Sequence, residues 1–279
     1  MNERTFFRGW AHPGPTPPGG VDVEEGETLD HLAGRWRIFQ YRDGHRFSTD
    51  DVLCASYASQ WAPRVERYCD LGSGIGSVAL TVAWRLPGCH VVTVEAQERS
   101  LRLLQKSVRY NGVAHRFTPL LGDLRDPAVF EGQGLFDLVT GSPPYWAVGA
   151  ALPAGHPQAV GARLETRGAV DDYAKTAARI LAPGGVFACV FQAVHDDKVR
   201  AALVEADLVL LRTRPVCFKE GVPAERSGLR LYLAAATVDL PPGFPDRAVE
   251  EPPLTIRSRN GSIDPEYSAL KMSFGFPPG

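Results

Sequence analysis

Two short segments carry residue types and spacings suited to chemistry: Asp70-Leu71-Gly72-Ser73-Gly74-Ile75-Gly76, and, roughly 70 residues further on, Ser142-Pro143-Pro144-Tyr145. In the first, Gly72 allows a tight turn, Gly74 lets the backbone approach a ligand, and Gly76 permits close packing of a following helix. In the second, Pro143 and Pro144 stiffen the loop and remove two backbone donors, leaving carbonyls to face a cleft. The Ser142 hydroxyl and the Pro143 carbonyl then make two acceptors, the number needed to hold both N–H bonds of a planar amine as its nitrogen pyramidalises. Tyr145 offers a ring on which a flat acceptor can stack, worth roughly 1 to 3 kcal/mol for such platforms. Trp146 extends that surface.

The elements that must position these segments follow from the same sequence. A strand over 67–71 leads into the glycine loop and a helix over about 77–86. Pro87-Gly88 turns into a second strand, 90–94, and a helix over about 98–110 stops at Asn111-Gly112. Strands follow at 117–121 and 136–140, the latter running into Ser142. A helix over about 170–181 precedes a fifth strand, 186–191. Nearly continuous apolar strands alternating with helices imply a parallel sheet covered on both faces. Two more strands, about 208–217 and 229–238, are joined by a short polar segment and are expected to close the sheet as an antiparallel hairpin. The expectation is an α/β, Rossmann-like fold with a seven-stranded, mostly parallel sheet. Upstream, Trp36, Ile38 and Phe39 suggest a short strand pair turning at Asp43-Gly44, and Ser48 or Thr49 can cap a helix running to Trp61 before Pro63.

The glycine spacing is G-x-G-x-G with an acid, Asp70, two positions before the first glycine, rather than the nicotinamide fingerprint G-x-G-x-x-G. That pattern favours S-adenosylmethionine (SAM), whose ammonium needs a carboxylate and which has no phosphates to cradle. Glu95, ending the second strand, can accept the ribose hydroxyls, and Asp123, beyond the third, is placed for the adenine amine. Ser73, Ala96, Gly122 and Leu124 adjoin these positions and are assigned to the same site.

The stretch Ile38-Phe39-Gln40 through Gly44-His45-Arg46-Phe47-Ser48-Thr49-Asp50, with Val52-Leu53 and the glycine loop, resembles the bacterial tRNA adenine-N6 methyltransferases that modify valine tRNA beside the anticodon. The resemblance covers residues from about 34 to 240 and implies a class I SAM methyltransferase fold. In that family the Phe-Ser-x-Asp segment folds over the SAM pocket, which implies cofactor contacts for Phe47, Thr49 and Asp50. The family has Asn where this chain has Ser142. The expected activity is SAM-dependent methylation of an exocyclic adenine N6 in tRNA. A small-molecule amine, a protein glutamine, cytosine N4, or SAM binding without turnover remain open.

Composition sets the outer bounds. At 279 residues and 44% hydrophobic, the chain can bury one sizeable core. A net charge of −2 and a pI near 6.4 exclude a surface that is basic throughout, so an RNA partner needs a local patch. Arg42, Arg46, Lys219 and Arg226 are the candidates for phosphate contacts, with Arg35, Arg37 and Arg230 nearby in sequence. Five scattered cysteines without a C-x-x-C pair favour neither a disulfide framework nor a zinc site. No metal is expected, and His156 and His195 lack ligand spacing. No apolar run is long enough for a membrane span, and a cytoplasmic protein is expected. Residues 1–33, rich in Pro and Gly and acidic at their end, are expected to form a mobile tail, 34–240 the catalytic domain, and 241–279 an irregular Pro-rich extension.

Overall fold

The computed structural model describes residues 6–7, 10–62, 64–145, 158, 168–236 and 247–278. In chain order these form β1 (Phe6–Phe7), β2 (Trp10–Ala11), β3 (Glu27–His31), β4 (Arg37–Tyr41), α1 (Thr49–Trp61), β5 (Arg67–Leu71), α2 (Ser77–Arg85), β6 (His90–Glu95) and α3 (Glu98–Tyr110). They continue with β7 (Phe117–Leu121), β8 (Phe136–Gly141), α4 (Val170–Ile180), β9 (Leu181–Gln192), α5 (Asp196–Glu205), β10 (Leu208–Cys217), α6 (Ala224–Ser227), β11 (Leu229–Ala236), β12 (Val249–Glu250), β13 (Leu254–Thr255) and α7 (Pro265–Ser273). Trp146, Pro63 and His156 lie outside the described residues.

The main sheet runs β7-β6-β5-β8-β9-β11-β10. The strands from β7 to β9 are parallel, and β11 pairs antiparallel with both β9 and β10. The strand order reverses between β5 and β8, and in such sheets ligands bind outside the carboxyl ends at that switch point. The count exceeds seven, because β12 and β13 both pair with β10, giving nine strands. Pro119 lies in β7, at the sheet's edge, where a missing N–H costs no ladder bond. The hairpin of β10 and β11 is present, yet β11 is inserted next to β9 rather than added at the margin.

Two apolar layers cover the sheet. One is built on α1, α2 and α3 and includes Leu53, Leu80 and Leu104; the other includes Phe136, Tyr173 and Phe187. Among the described residues no helix is long and apolar enough to cross a membrane. The cysteines are all free, and four of them are buried.

Three segments depart from expectation. Strand β4 pairs with β3 upstream of it, with Leu29 opposite Phe39, and not across a turn at Asp43-Gly44. Residues 10–33, expected to form a mobile tail, contact the domain at several points. Gly19 N–H bonds the Tyr110 carbonyl at 3.1 Å, His12 stacks on His31, and Glu27, buried, meets Lys106 at 2.5 Å and Arg102 at 2.8 Å. Composition could not show this, because the partners that hold the acidic end of the strap sit on α3. The C-terminal extension likewise carries α7, whose Tyr267 is buried, and Glu251 accepts a 2.8 Å bond from the Tyr57 hydroxyl.

Candidate active site

Sheet register brings the two motifs together. Leu71 lies opposite Val94 on one side and Gly141 on the other, and Glu95 lies opposite Leu121. The residues just past these points, Gly72, Ser142 and Gly122, therefore share one edge. Two bonds lock it: Ser73 N–H to the Val94 carbonyl and Gly122 N–H to the Glu95 carbonyl, each 3.0 Å.

The three glycines are required for different reasons. All have positive φ, +59°, +57° and +85° for Gly72, Gly74 and Gly76. A Cβ on Gly72 would lie 1.9 Å from the Tyr173 hydroxyl, and one on Gly76 2.1 Å from Leu104 Cδ1. A Cβ on Gly74 would meet nothing. Gly72 and Gly76 thus serve close packing, while Gly74 faces open space where a ligand can approach.

That space is one cavity lined by Asp70, Gly72, Ser73, Gly74, Glu95, Ala96, Gly122, Leu124, Ser142 and Pro144. Ten of the expected site residues meet there. His45, Asp51, Ser77, Gln97 and Tyr173 also line it and were not assigned from sequence. His45 belongs to the segment that carries the family resemblance, and Asp51 lies between two of its quoted parts. Tyr173, on α4, is marked only by the glycines it packs against.

The polar groups suit a cation. Asp70 Oδ1 accepts a 2.6 Å bond from Thr140, itself 2.6 Å from the Tyr68 hydroxyl. Asp70 Oδ2 and the Ser73 hydroxyl are buried without a hydrogen-bond partner. Burial pushes the Asp70 carboxyl up to about 7, against the Thr140 bond and with the Glu95 charge adding to the rise. Asp51 is likewise pushed well up by burial and then by the Asp50 charge, despite its bond from the Ser48 N–H. Glu95 accepts from Gly74 N–H at 2.7 Å and Gln97 N–H at 2.6 Å. Each carboxylate oxygen has a second lone pair for a ligand hydroxyl. Among the described lining residues there are three carboxylates and no Lys or Arg. Two unpartnered polar atoms beside the open face of Gly74 are consistent with a ligand there, and the carboxylates fit SAM: Asp70 and Asp51 for its positive charges, Glu95 for its ribose.

Other expected residues fall elsewhere. The Asp123 carboxylate pairs with Arg125 at 2.5 Å, at the rim rather than in the cavity lining. Phe47 packs against the core, its N–H on the Gln40 side chain at 2.8 Å. Thr49 and Asp50 line a second cavity together with Tyr145 and Arg226. The Tyr145 ring meets Phe191 edge-on at 5.2 Å and its hydroxyl donates to Asp50 at 3.0 Å. Burial, with the Asp50 charge, raises the Tyr145 hydroxyl well above its ordinary range, and Ser142 acts in the opposite sense. Pro143 is buried.

The cationic rim is partly neutralised. Arg46 pairs with Asp30 at 2.9 Å, Arg35 bonds the His12 carbonyl, and the buried Arg230 meets Glu225, Glu250 and Asp196. Arg42, Lys219 and Arg226 are exposed. No group of three or more metal-ligating side chains exists among the described residues.

A glycine-loop cavity at the switch point of this sheet, lined by carboxylates and flanked by the Ser-Pro-Pro-Tyr loop, defines a class I SAM-dependent methyltransferase. Residues 51–205 match the family described as methyltransferase small domain, and the chain belongs to that family. Among curated proteins it is 26% identical over 235 residues to a tRNA1(Val) (adenine(37)-N6)-methyltransferase of Aeromonas hydrophila, covering 82% of this chain and 89% of that protein. It is 35% identical over 123 residues to a 4-amino-L-phenylalanine/4-methylamino-L-phenylalanine methyltransferase of Streptomyces pristinaespiralis. That match takes in 42% of this chain and only 40% of the relative. In fold, it is similar to the crystal structure of a predicted O-methyltransferase from Agrobacterium tumefaciens, with a TM-score of 0.60 at 21% identity over 82% of this chain and 98% of that one.

Proposed function

We propose that this enzyme methylates the exocyclic N6 amine of an adenine in tRNA, in the cytoplasm. The observation that carries the reading is the position of Ser142-Pro143-Pro144-Tyr145 on the wall of the cofactor cavity, with Ser142 and Pro144 in its lining. The Aeromonas hydrophila relative, which this chain matches over most of both lengths, supports tRNA as acceptor.

SAM would supply an electrophilic methyl group on a sulfonium. The chain's own part is to bind and orient. Glu95 holds the ribose and Asp70 the positive end of the cofactor. The Ser142 hydroxyl and the Pro143 carbonyl accept hydrogen bonds from the two amine N–H groups, so that the nitrogen lone pair leaves conjugation and points along the transfer line. Tyr145 supports the base, and the exposed Arg42, Lys219 and Arg226 contact phosphates.

A second reading, an aromatic amine of a free amino acid, is favoured by one observation. Arg46, one of the four candidate phosphate contacts, and the neighbouring Arg230 are occupied by acids of the same chain, which weakens the cationic rim. The test is a competition. The enzyme is incubated with labelled SAM, bulk tRNA and 4-amino-L-phenylalanine, and the tRNA is digested to nucleosides. Label in N6-methyladenosine supports the first reading; label only in the amino acid replaces it with the second.

A further inference from the structure

We propose that the second cavity receives the target nucleotide, and that the Gln192 carboxamide in its wall selects the base by donating a hydrogen bond to the ring nitrogen beside the methylated amine. The inference rests on the reading of the Ser-Pro-Pro-Tyr loop as the grip on an adenine amine.

The sheet places Gln192 there. It is the last residue of β9, which pairs with β8 on one side and with β11 on the other, where Gln192 lies opposite Leu229. Alternate side chains of a strand share a face. Ala188 and Val190 are buried in the apolar layer built on α1, and Gln192 is the next residue on that face. Thr49 and Asp50, from the start of α1, line the cavity with it. Continuing the apolar pattern would extend the core. The chain instead sets a half-buried carboxamide there, with no hydrogen-bond partner among the described residues.

The cavity holds about 400 Å³, a size that takes a small ligand. Tyr145 lines it, while Pro144, the preceding residue, lines the cofactor cavity. Phe218 and Val194 line it too and stay 40% and 62% exposed, apolar surface that a flat ring would cover.

The charges suit a nucleotide. Both acids in the lining are engaged within the chain, Asp50 by the Ser48 and Tyr145 hydroxyls and Glu225 by the buried Arg230 at 3.2 Å. Arg226 is exposed and has no side-chain partner among the described residues. A ligand that brings a neutral ring and an anion matches that set. A free amino acid also brings an ammonium, for which neither acid is spare.

A glutamine carries both a donor and an acceptor. With the two amine N–H groups held by Ser142 and the Pro143 carbonyl, the group next to them on an adenine is a ring nitrogen, an acceptor, and the Gln192 NH2 group donates to it. An aniline has only C–H at that place. A site built to hydrogen-bond one group rejects the analogue that lacks it.

The experiment uses the full chain with labelled SAM and limiting bulk tRNA, comparing wild type with Gln192→Leu and Gln192→Glu, and SAM affinity is measured by calorimetry on each preparation. Leu removes the donor, and Glu keeps the length while presenting only acceptors. Both should slow formation of N6-methyladenosine by about tenfold to a hundredfold, the loss of one hydrogen bond to the base, and leave SAM affinity within about twofold. Phe218→Ala, which removes an exposed ring, should raise the tRNA concentration at half-saturation by about fivefold or more, and decides the matter if neither Gln192 variant folds. Wild-type rates in the Gln192 variants, wild-type tRNA dependence in Phe218→Ala, or a loss of SAM affinity as large as the loss of rate would overturn the inference and leave the adenine reading standing. No label in tRNA from the wild type would overturn both.

Discussion

The Tyr145 hydroxyl donates a 3.0 Å hydrogen bond to Asp50 Oδ2, tying the loop after β8 to the first turn of α1. Both residues line the second cavity, while their chain neighbours Pro144 and Asp51 line the cofactor cavity. The bond thus stands between the two spaces and fixes the loop that carries Ser142. Tyr145→Phe should cost about 1 to 2 kcal/mol of stability, as a charge-assisted bond is lost. It should also slow methyl transfer by about tenfold while leaving SAM affinity within about twofold. Denaturant unfolding and a SAM titration on the same preparation check the two halves.

Removing the Glu95 carboxylate should weaken SAM binding by roughly ten- to a hundred-fold, the equivalent of charge-assisted bonds worth about 1.5 to 3 kcal/mol. Because that carboxylate also caps Gly74 and Gln97 N–H groups, Glu95→Ala should lose some order in the glycine loop too. Calorimetry on a folded mutant with unchanged affinity would remove Glu95 from the site.

The glycines separate packing from binding. Gly76→Ala places a methyl against Leu104 in a left-handed conformation, and should cost about 2 to 4 kcal/mol from strain and overpacking together. Gly74→Ala meets no neighbour, so only the strain of about 1 to 2 kcal/mol applies. Its added methyl should instead obstruct SAM. Thermal unfolding with and without SAM distinguishes the two: Gly76→Ala lowers the melting temperature of the free protein more, and Gly74→Ala abolishes the SAM-induced rise.

The Asp70 carboxyl, raised by burial to about 7, compares with about 3.9 in an unfolded chain. Between those values the folded state holds the extra proton, so this group's contribution to stability is present below about pH 4 and is lost as pH rises through about 7. Asp70→Asn cannot ionise, and should gain stability relative to wild type as pH goes from 5 to 8 in the absence of SAM. Parallel urea titrations across that range measure the difference. A constant gap would show that Asp70 is ionised throughout.

Much of this was legible from local pattern. The strands β5 to β9 follow from apolar runs bounded by Gly and Pro, and ten cavity residues follow from their places at strand ends. What was not legible depended on partners distant in sequence. The strap 10–33 is held by Glu27 on Lys106, and Tyr173 reaches Gly72 only once α4 packs on the sheet. Helix α5 was missed because few of its residues are buried, Val199, Ala202 and Leu203 among them, and give a weak periodic signal. Asp123, between the lining residues Gly122 and Leu124, pairs with Arg125 two residues on, a partner that was legible in the sequence.

The proposed role of the Ser-Pro-Pro-Tyr loop is to grip the accepting amine beside the SAM cavity. The most direct measurement is single-turnover methyl transfer by Ser142→Ala to the acceptor identified by labelling, paired with SAM affinity on the same protein. The lost interaction matters chiefly as nitrogen pyramidalises, so the rate should fall by about tenfold to a hundredfold while SAM affinity stays within about twofold. A fully active Ser142→Ala enzyme would mean that this loop does not hold the amine.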